Sequence, residues 1–117
     1  MSLTIYGIKA CDTMKKARAW LANAGVDVSF HDYKAAGIDQ ATLEGWVNKH
    51  GWETVLNRKG STFRALPDAE KQDIDADKAV RLMLSNPSMI KRPVLVNTEE
   101  ESIVGFSPEF YAGFLNR

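Results

Sequence analysis

The sequence predicts an α/β fold built on a four-stranded mixed sheet, in the order β-α-β, several helices, then β-β-α. Three observations carry this. A short apolar run, Leu3 to Ile8, ends in a turn and is followed by apolar residues at helical spacing, then by a second, partly alternating run. The middle of the chain carries helical stripes and caps rather than strand patterns. The continuous run Val94-Leu95-Val96 lies near the end, with a short return run behind it.

Leu3 to Ile8 reads as a buried strand, short, apolar-rich and closed by a turn. Asp12 or Thr13 can cap the helix that follows. Met14, Ala17, Leu21 and Ala24 line one face of that helix, Arg18 and Asn23 another, and Gly25 stops it. Val26 to Tyr33 alternates through Val26, Val28 and Phe30 as a second strand. A strand, a helix and a strand in this order make a right-handed crossover between parallel strands. Asp39 then caps a segment carrying Leu43, Trp46 and Val47, closed by His50-Gly51, and Glu53 to Leu56 reads as a further turn. Asn57 to Leu66 is polar, basic and contains Gly60, and reads as a loop. Pro67 to Glu70 reads as a short helix start with Pro67 in its first position. Asp75 caps a clearer helix with the stripe Ala76, Ala79, Val80, Met83 and Leu84. It stops near Ser85, because Pro87 disfavours helical backbone at Asn86.

Pro93 fits only the first residue of the strand at Val94 to Val96, whose apolar, β-branched run marks it as central. Asn97 to Glu101 is an acidic turn, and Ser102 to Gly105 returns as an antiparallel partner. Ser107 caps the last helix, with Pro108 at its first position. Phe110, Phe114 and Leu115 are expected to face the core, with Tyr111 beside them.

The 117 residues make one domain, long enough for a proper core. Hydrophobic content of 44% and charged content of 26% are those of an ordinary globule. The formal net charge is zero, so no global field draws the chain to nucleic acid or membrane. No apolar run approaches the roughly 20 residues that span a bilayer. No signal pattern opens the chain, and its one cysteine excludes an internal disulfide framework. A cytoplasmic, monomeric protein is expected.

That cysteine, Cys11, stands between the first strand and the first helix. Free N–H groups and the positive dipole end of a helix favour a thiolate over a thiol. Lys9, Lys15 and Lys16 add charge nearby. Two cations in a first helical turn oppose the dipole, so helix stability does not explain them, whereas stabilising an anion does. Against this, a lone free cysteine is commonly a small buried apolar group. From the local residues alone both readings stand. A phosphatase-type loop fails, because Ala17 occupies the arginine position and Arg18 comes one residue late. One cysteine with His31 and His50 supplies no usual zinc set, so no metal is expected. No phosphate loop or nucleic-acid motif is present.

The element order, with a cysteine after the first strand and X-Pro opening the third, resembles the thioredoxin fold. Within it the residues resemble the ArsC family: arsenate reductases, Spx regulators and the small YffB-type proteins. The matching pieces are the stretch from Tyr6 through Cys11-Asp12-Thr13-Met14-Lys15-Lys16 to Ala17, then Asn57-Arg58-Lys59-Gly60, Ile90-Lys91-Arg92-Pro93-Val94, and Val104-Gly105-Phe106. The opening Cys-Asp-Thr-x-Lys-Lys-Ala is most similar to the YffB-type members. The resemblance implies a thioredoxin-like core at 1–36 and 87–117 with an all-helical insertion at about 37–86. It makes Cys11 the nucleophile, places Arg58 and Arg92 in an anion site, and makes Pro93 a cis proline lying against the cysteine. Lys91, Lys9 and Thr13 are further candidates for that site.

Two departures narrow the activity. Arsenate reductases proper carry a third arginine near the fourth strand, where this chain reads Ile103-Val104-Gly105-Phe106-Ser107-Pro108. The position three after Cys11 is Met14, so the Cys-x-x-Cys pair of redox-switching Spx members is missing. A single thiolate needs an outside thiol to resolve its adducts. The expected activity is a glutathione-dependent thiol reductase with no bound cofactor, acting on a small disulfide or oxyanion. The alternatives are a glutathione-coupled arsenate reductase and an Spx-like adaptor that docks on RNA polymerase.

Overall fold

Strand β1 (Leu3–Gly7) lies inside a sheet of order β2-β1-β3-β4, with β2 at Val28–Asp32, β3 at Val94–Val96 and β4 at Ser102–Val104. This computed structural model describes residues 3–9 and 11–115; Ala10, within the opening motif, lies outside the described residues. The described α-helices are α1 (Asp12–Asn23), α2 (Tyr33–Ala36), α3 (Gln40–His50), α4 (Trp52–Val55), α5 (Ser61–Arg64), α6 (Ala76–Ser85) and α7 (Pro108–Leu115). Short 3-10 turns occupy Asp68–Lys71 and Pro87–Met89. β1 is parallel to β2 and antiparallel to β3, and β3 is antiparallel to β4. The sheet is mixed and thioredoxin-like, as the element order predicts.

The chain packs as two units, one holding residues up to Tyr33 and from Arg92 onward, the other Lys34–Lys91. In the first, strand alternation sorts residues onto two faces. Leu3 and Ile5 turn to one face with Leu95, their neighbour on β3. There they meet Met14, Ala17 and Leu21 of α1 and Tyr111 and Phe114 of α7, all buried. Each large apolar side chain so buried contributes about 1.5–3 kcal/mol relative to an exposed one.

Helix α1 ends as predicted. Gly25 takes φ +73°, the Val26 N–H donates to the Leu21 carbonyl (3.1 Å) and the Gly25 N–H to that of Ala22 (3.0 Å). This is a Schellman cap. Ala24 is the C-cap and is exposed, outside the buried stripe. The start of α1 corrects the sequence reading. Asp12 is already helical, and the last extended residue, at φ −120° and ψ 128°, is Cys11. The N-cap position thus falls on the cysteine rather than on Asp12 or Thr13.

In α7, Tyr111 and Phe114 are buried, whereas Phe110 is 71% exposed. Phe110 and Tyr111 both stand at helical spacing from Phe114, so spacing does not choose between them. Tyr111 wins the core position through partners. Its hydroxyl donates to the Gly105 carbonyl at 3.0 Å, and its ring meets Phe106 and Trp20 edge-on at 5.0 and 5.8 Å.

The second unit is helical. Asp39 caps α3 by accepting from the Thr42 N–H (3.0 Å), and Asp75 caps α6 by accepting from the Lys78 N–H (2.8 Å). Leu43, Trp46 and Val47 of α3 are buried, as are Val55, Leu56, Met89 and Ile90. In α6 the buried residues are Ala79, Val80, Leu82 and Met83; Ala76 is exposed and Leu84 half-buried, so the stripe lies a little off the predicted one. The Asn57–Leu66 stretch is not all loop, because buried Phe63 anchors the single turn α5. Pro67 precedes its 3-10 turn rather than opening a helix.

Candidate active site

The site begins with the close approach of a strand to a helix. A Cβ on Gly7 would run into the Met14 sulfur and stand 2.8 Å from Cε and 3.1 Å from Cγ. With glycine there, buried Met14 packs against the end of β1 and holds the first turn of α1. Cys11 is fixed at the head of that turn, half-buried and with its sulfur free of any disulfide.

Burial alone pushes the Cys11 thiol pKa up, yet the net shift is downward. The Met14 N–H, the Arg92 guanidinium and the Thr13 N–H act on the sulfur as hydrogen-bond donors, and the Arg92 charge adds to them. The cap closes no hydrogen bond of strict geometry to the side chain. The N–H groups still lie within range to favour the anion, because a thiolate accepts long, charge-assisted bonds. The cation acting on the sulfur is Arg92; Lys9, Lys15 and Lys16 are exposed side chains. Thr13 acts through its backbone N–H, its side chain being exposed.

Arg92 is delivered by β3. The Arg92–Pro93 peptide bond is cis, and Pro93 is buried, with its carbonyl accepting from the Gly105 N–H at 2.7 Å. β3 runs antiparallel to β1, so the residues preceding Val94 lie toward the end of β1 from which the chain continues to Cys11. Arg58 and Lys91 belong to the helical unit. Arg58 is exposed, its guanidinium 5.3 Å from the centre of the Trp52 ring. Lys91 is exposed, its N–H donating to the Val55 carbonyl at 2.8 Å.

Sequence reasoning missed an aromatic group on the second face of the sheet. Tyr6 and His31 are cross-strand partners with ring centres 4.7 Å apart, and Tyr33 stacks at 6.3 Å from Tyr6. Tyr33 is 1% exposed. Burial pushes its phenol well above the ordinary value, Tyr6 adds to that, and the Arg92 charge opposes it. The signal for this group is the period-2 spacing of His31 and Tyr33, which points both to one face once the register with Tyr6 is known. Among the described residues no cluster of His, Cys, Asp and Glu is arranged to hold a metal ion, and no helix is long and apolar enough to cross a membrane.

The ArsC family model matches residues 6–114. The solved structure of a YffB protein is 58% identical, covers 95% of this chain and 96% of its own, and superposes with a TM-score of 0.91. An arsenate reductase (ArsC) related protein from Brucella melitensis is 50% identical over 100% of this chain and 97% of its own, with a TM-score of 0.76. An uncharacterized protein of Haemophilus influenzae is 35% identical over 109 residues, covering 93% of this chain and 95% of its own length.

Proposed function

This chain belongs to the ArsC family, and we propose that within it the protein is a monothiol oxidoreductase that uses glutathione as its resolving thiol. The observation that carries the reading is Cys11 itself: the only cysteine, at the head of α1, its thiol lowered by two backbone N–H groups and Arg92. In the first step the Cys11 thiolate attacks one sulfur of a disulfide, whose S–S bond breaks as the second sulfur leaves as a thiolate. A mixed disulfide on Cys11 results. The chain has no second cysteine to resolve it. A glutathione thiolate therefore attacks the substrate sulfur of that adduct, restoring the Cys11 thiolate and releasing a glutathione mixed disulfide. Glutathione supplies the electrons; no metal or bound cofactor enters.

Arg92 has two tasks in this scheme. It holds the thiolate, and its remaining donors offer a paired contact to a carboxylate or oxyanion. Pro93 fixes the backbone that presents Arg92. Lys9, in the same unit as Cys11 and Arg92, is a further cation assigned to anion binding and open to an alanine test. The reading takes the protein as a cytoplasmic monomer.

The test is intact-mass spectrometry after exposure to glutathione disulfide, then to reduced glutathione. The expected result is a gain of one glutathione on the unaltered protein, none on Cys11→Ser, and removal by reduced glutathione. An adduct that never forms, or that reduced glutathione cannot remove, overturns the reading.

A further inference from the structure

Strand β2 is an outer strand of the sheet, paired on one side with β1. Among the described residues no strand pairs its other side. The second outer strand, β4, is three residues long, and a short edge is a poor template for a partner. β2 is five residues, Val28-Ser29-Phe30-His31-Asp32, in unbroken register with β1 and with no proline, lysine or bulge. Val28 and Phe30 point to the α1 face, where both pack half-buried against the core. Beside them a groove of about 170 Å³ opens between β2 and the later turns of α1, lined by Arg18, Leu21, Ala22, Val26 and Val28. Its apolar floor ends at a charge: the Arg18 guanidinium lies 4.6 Å from the centre of the Phe30 ring. A guanidinium resting on a ring keeps its in-plane donors open to a carboxylate. Arg18 is exposed and makes no ion pair among the described residues.

We propose that this edge takes up an extended, acidic segment of a partner protein as an added strand. Main-chain hydrogen bonds to β2 hold the segment, while the groove and Arg18 read its side chains. The pleat sets the motif. Side chains on one face of a strand recur every second residue, so the residue opposite Val28 and the residue opposite Phe30 are two apart. Antiparallel pairing is the more stable arrangement per residue, and in it the residue opposite Phe30 comes first. The segment therefore reads acid-x-apolar: its carboxylate meets Arg18 and, two residues on, its apolar side chain enters the groove beside Val28. The same cation disfavours a second copy of this chain as the occupant. Two β2 edges paired antiparallel, with their apolar residues on one face, bring two Arg18 side chains to a single seam, where like charges repel. Lys15, three residues before Arg18, adds the same sign along that side of α1. Nothing in this surface depends on the chemistry of Cys11.

The probe is a capped synthetic peptide with the core Thr-Glu-Thr-Val-Thr, titrated into the isotope-labelled protein and followed by NMR, beside the same peptide with Lys in place of Glu. The Glu peptide should move the amide signals of Val28, Ser29 and Phe30 on β2 and of Arg18 and Ala22 on α1. It should bind about threefold or more tighter than the Lys peptide. Arg18→Glu should reverse that order, and added salt should narrow the difference in both proteins. Ala22→Glu, a second exposed substitution on the groove wall, should weaken the Glu peptide. Methylating the peptide nitrogens along one edge, then along the other, tests the added strand itself: one pattern should abolish binding and the other leave it. Arg18→Glu should still form the glutathione adduct on Cys11 as the unaltered protein does, so peptide binding and thiol chemistry are read separately. No signal movement at about millimolar peptide, equal affinity for the two peptides, or tolerance of both methylation patterns overturns the proposal. So does a dimer in sedimentation whose interface signals fall on residues 28–30, because the edge then belongs to a second copy.

Discussion

Arg92, one residue ahead of the buried Pro93, reaches the sulfur of Cys11 with a hydrogen bond and with its charge. Burial pulls the other way, so the thiolate depends on donors outweighing desolvation. An ordinary thiol titrates at about 8.5. The alkylation midpoint of Cys11 should fall below that, and Arg92→Ala should raise it while Arg92→Lys raises it less. A midpoint indifferent to Arg92 would leave the helix N–H groups as the only support for the anion.

The same shift makes a prediction about stability. The Cys11 thiol is lowered in the folded state, so the folded chain releases its proton at lower pH than the unfolded chain. Below the folded-state value the thiol is protonated in both states and contributes nothing. The contribution grows as pH rises toward the unfolded value of about 8.5, is full above it, and is lost as pH falls back through the folded value. The melting temperature of the unaltered protein relative to Cys11→Ser should therefore climb across that window. A flat or falling difference contradicts the lowered thiol.

Gly7 tests the scaffold beneath the cysteine. Its Cβ position is taken by the side chain of Met14, which is 1% exposed and cannot swing out to solvent. Gly7→Ala should cost about 1–3 kcal/mol by overpacking, read from urea denaturation. Adding Met14→Ala should return part of the loss, because the two positions share one space. If Gly7→Ala is neutral, β1 and α1 have room to shift, and the head of α1 is less firmly placed than the packing implies.

Much of this was legible in the chain, and the failures have physical causes. The strands, the βαβ opening, the caps at Asp39 and Asp75 and the stop at Gly25 follow from local rules, and each is present. The boundary at Cys11 was misread by one residue, because Asp12 and Thr13 are better capping side chains than cysteine. Backbone conformation, not side-chain preference, decided it. Phe110 and Tyr111 could not be told apart by spacing, since the choice rested on a hydroxyl meeting Gly105 and a ring meeting Phe106, both tertiary contacts. Phe63 turned part of a polar loop into α5 by burial, which composition does not reveal. The Tyr6, His31 and Tyr33 group needs the register of β1 on β2. Cys11 and Arg92 were both visible, but that Arg92 rather than the nearby lysines acts on the sulfur depends on tertiary placement, which residue spacing does not reveal.

The last prediction concerns substrate class. Residue 106, near the end of the fourth strand, is Phe106, and its ring lies edge-on to Tyr111 at 5.0 Å, packed against the core. It offers no donor to an anion. Arsenate is tetrahedral, charged and strongly hydrated, and removing its water without replacement hydrogen bonds is costly. Glutathione presents carboxylates that stay partly in water while its sulfur reacts, so fewer donors suffice. The unaltered protein should form and release the glutathione adduct readily yet turn over arsenate poorly or not at all. Arg92→Ala should slow the glutathione reaction by about tenfold or more, the consequence of losing a charge-assisted partner of the thiolate worth about 1.5–3 kcal/mol. Phe106→Arg probes the converse: if a missing donor is what limits arsenate, this substitution should raise arsenate turnover above that of the unaltered protein while leaving adduct formation intact. Steady-state assays with both substrates decide the matter. Brisk arsenate reduction by the unaltered protein would refute the prediction and show that other donors complete the oxyanion site.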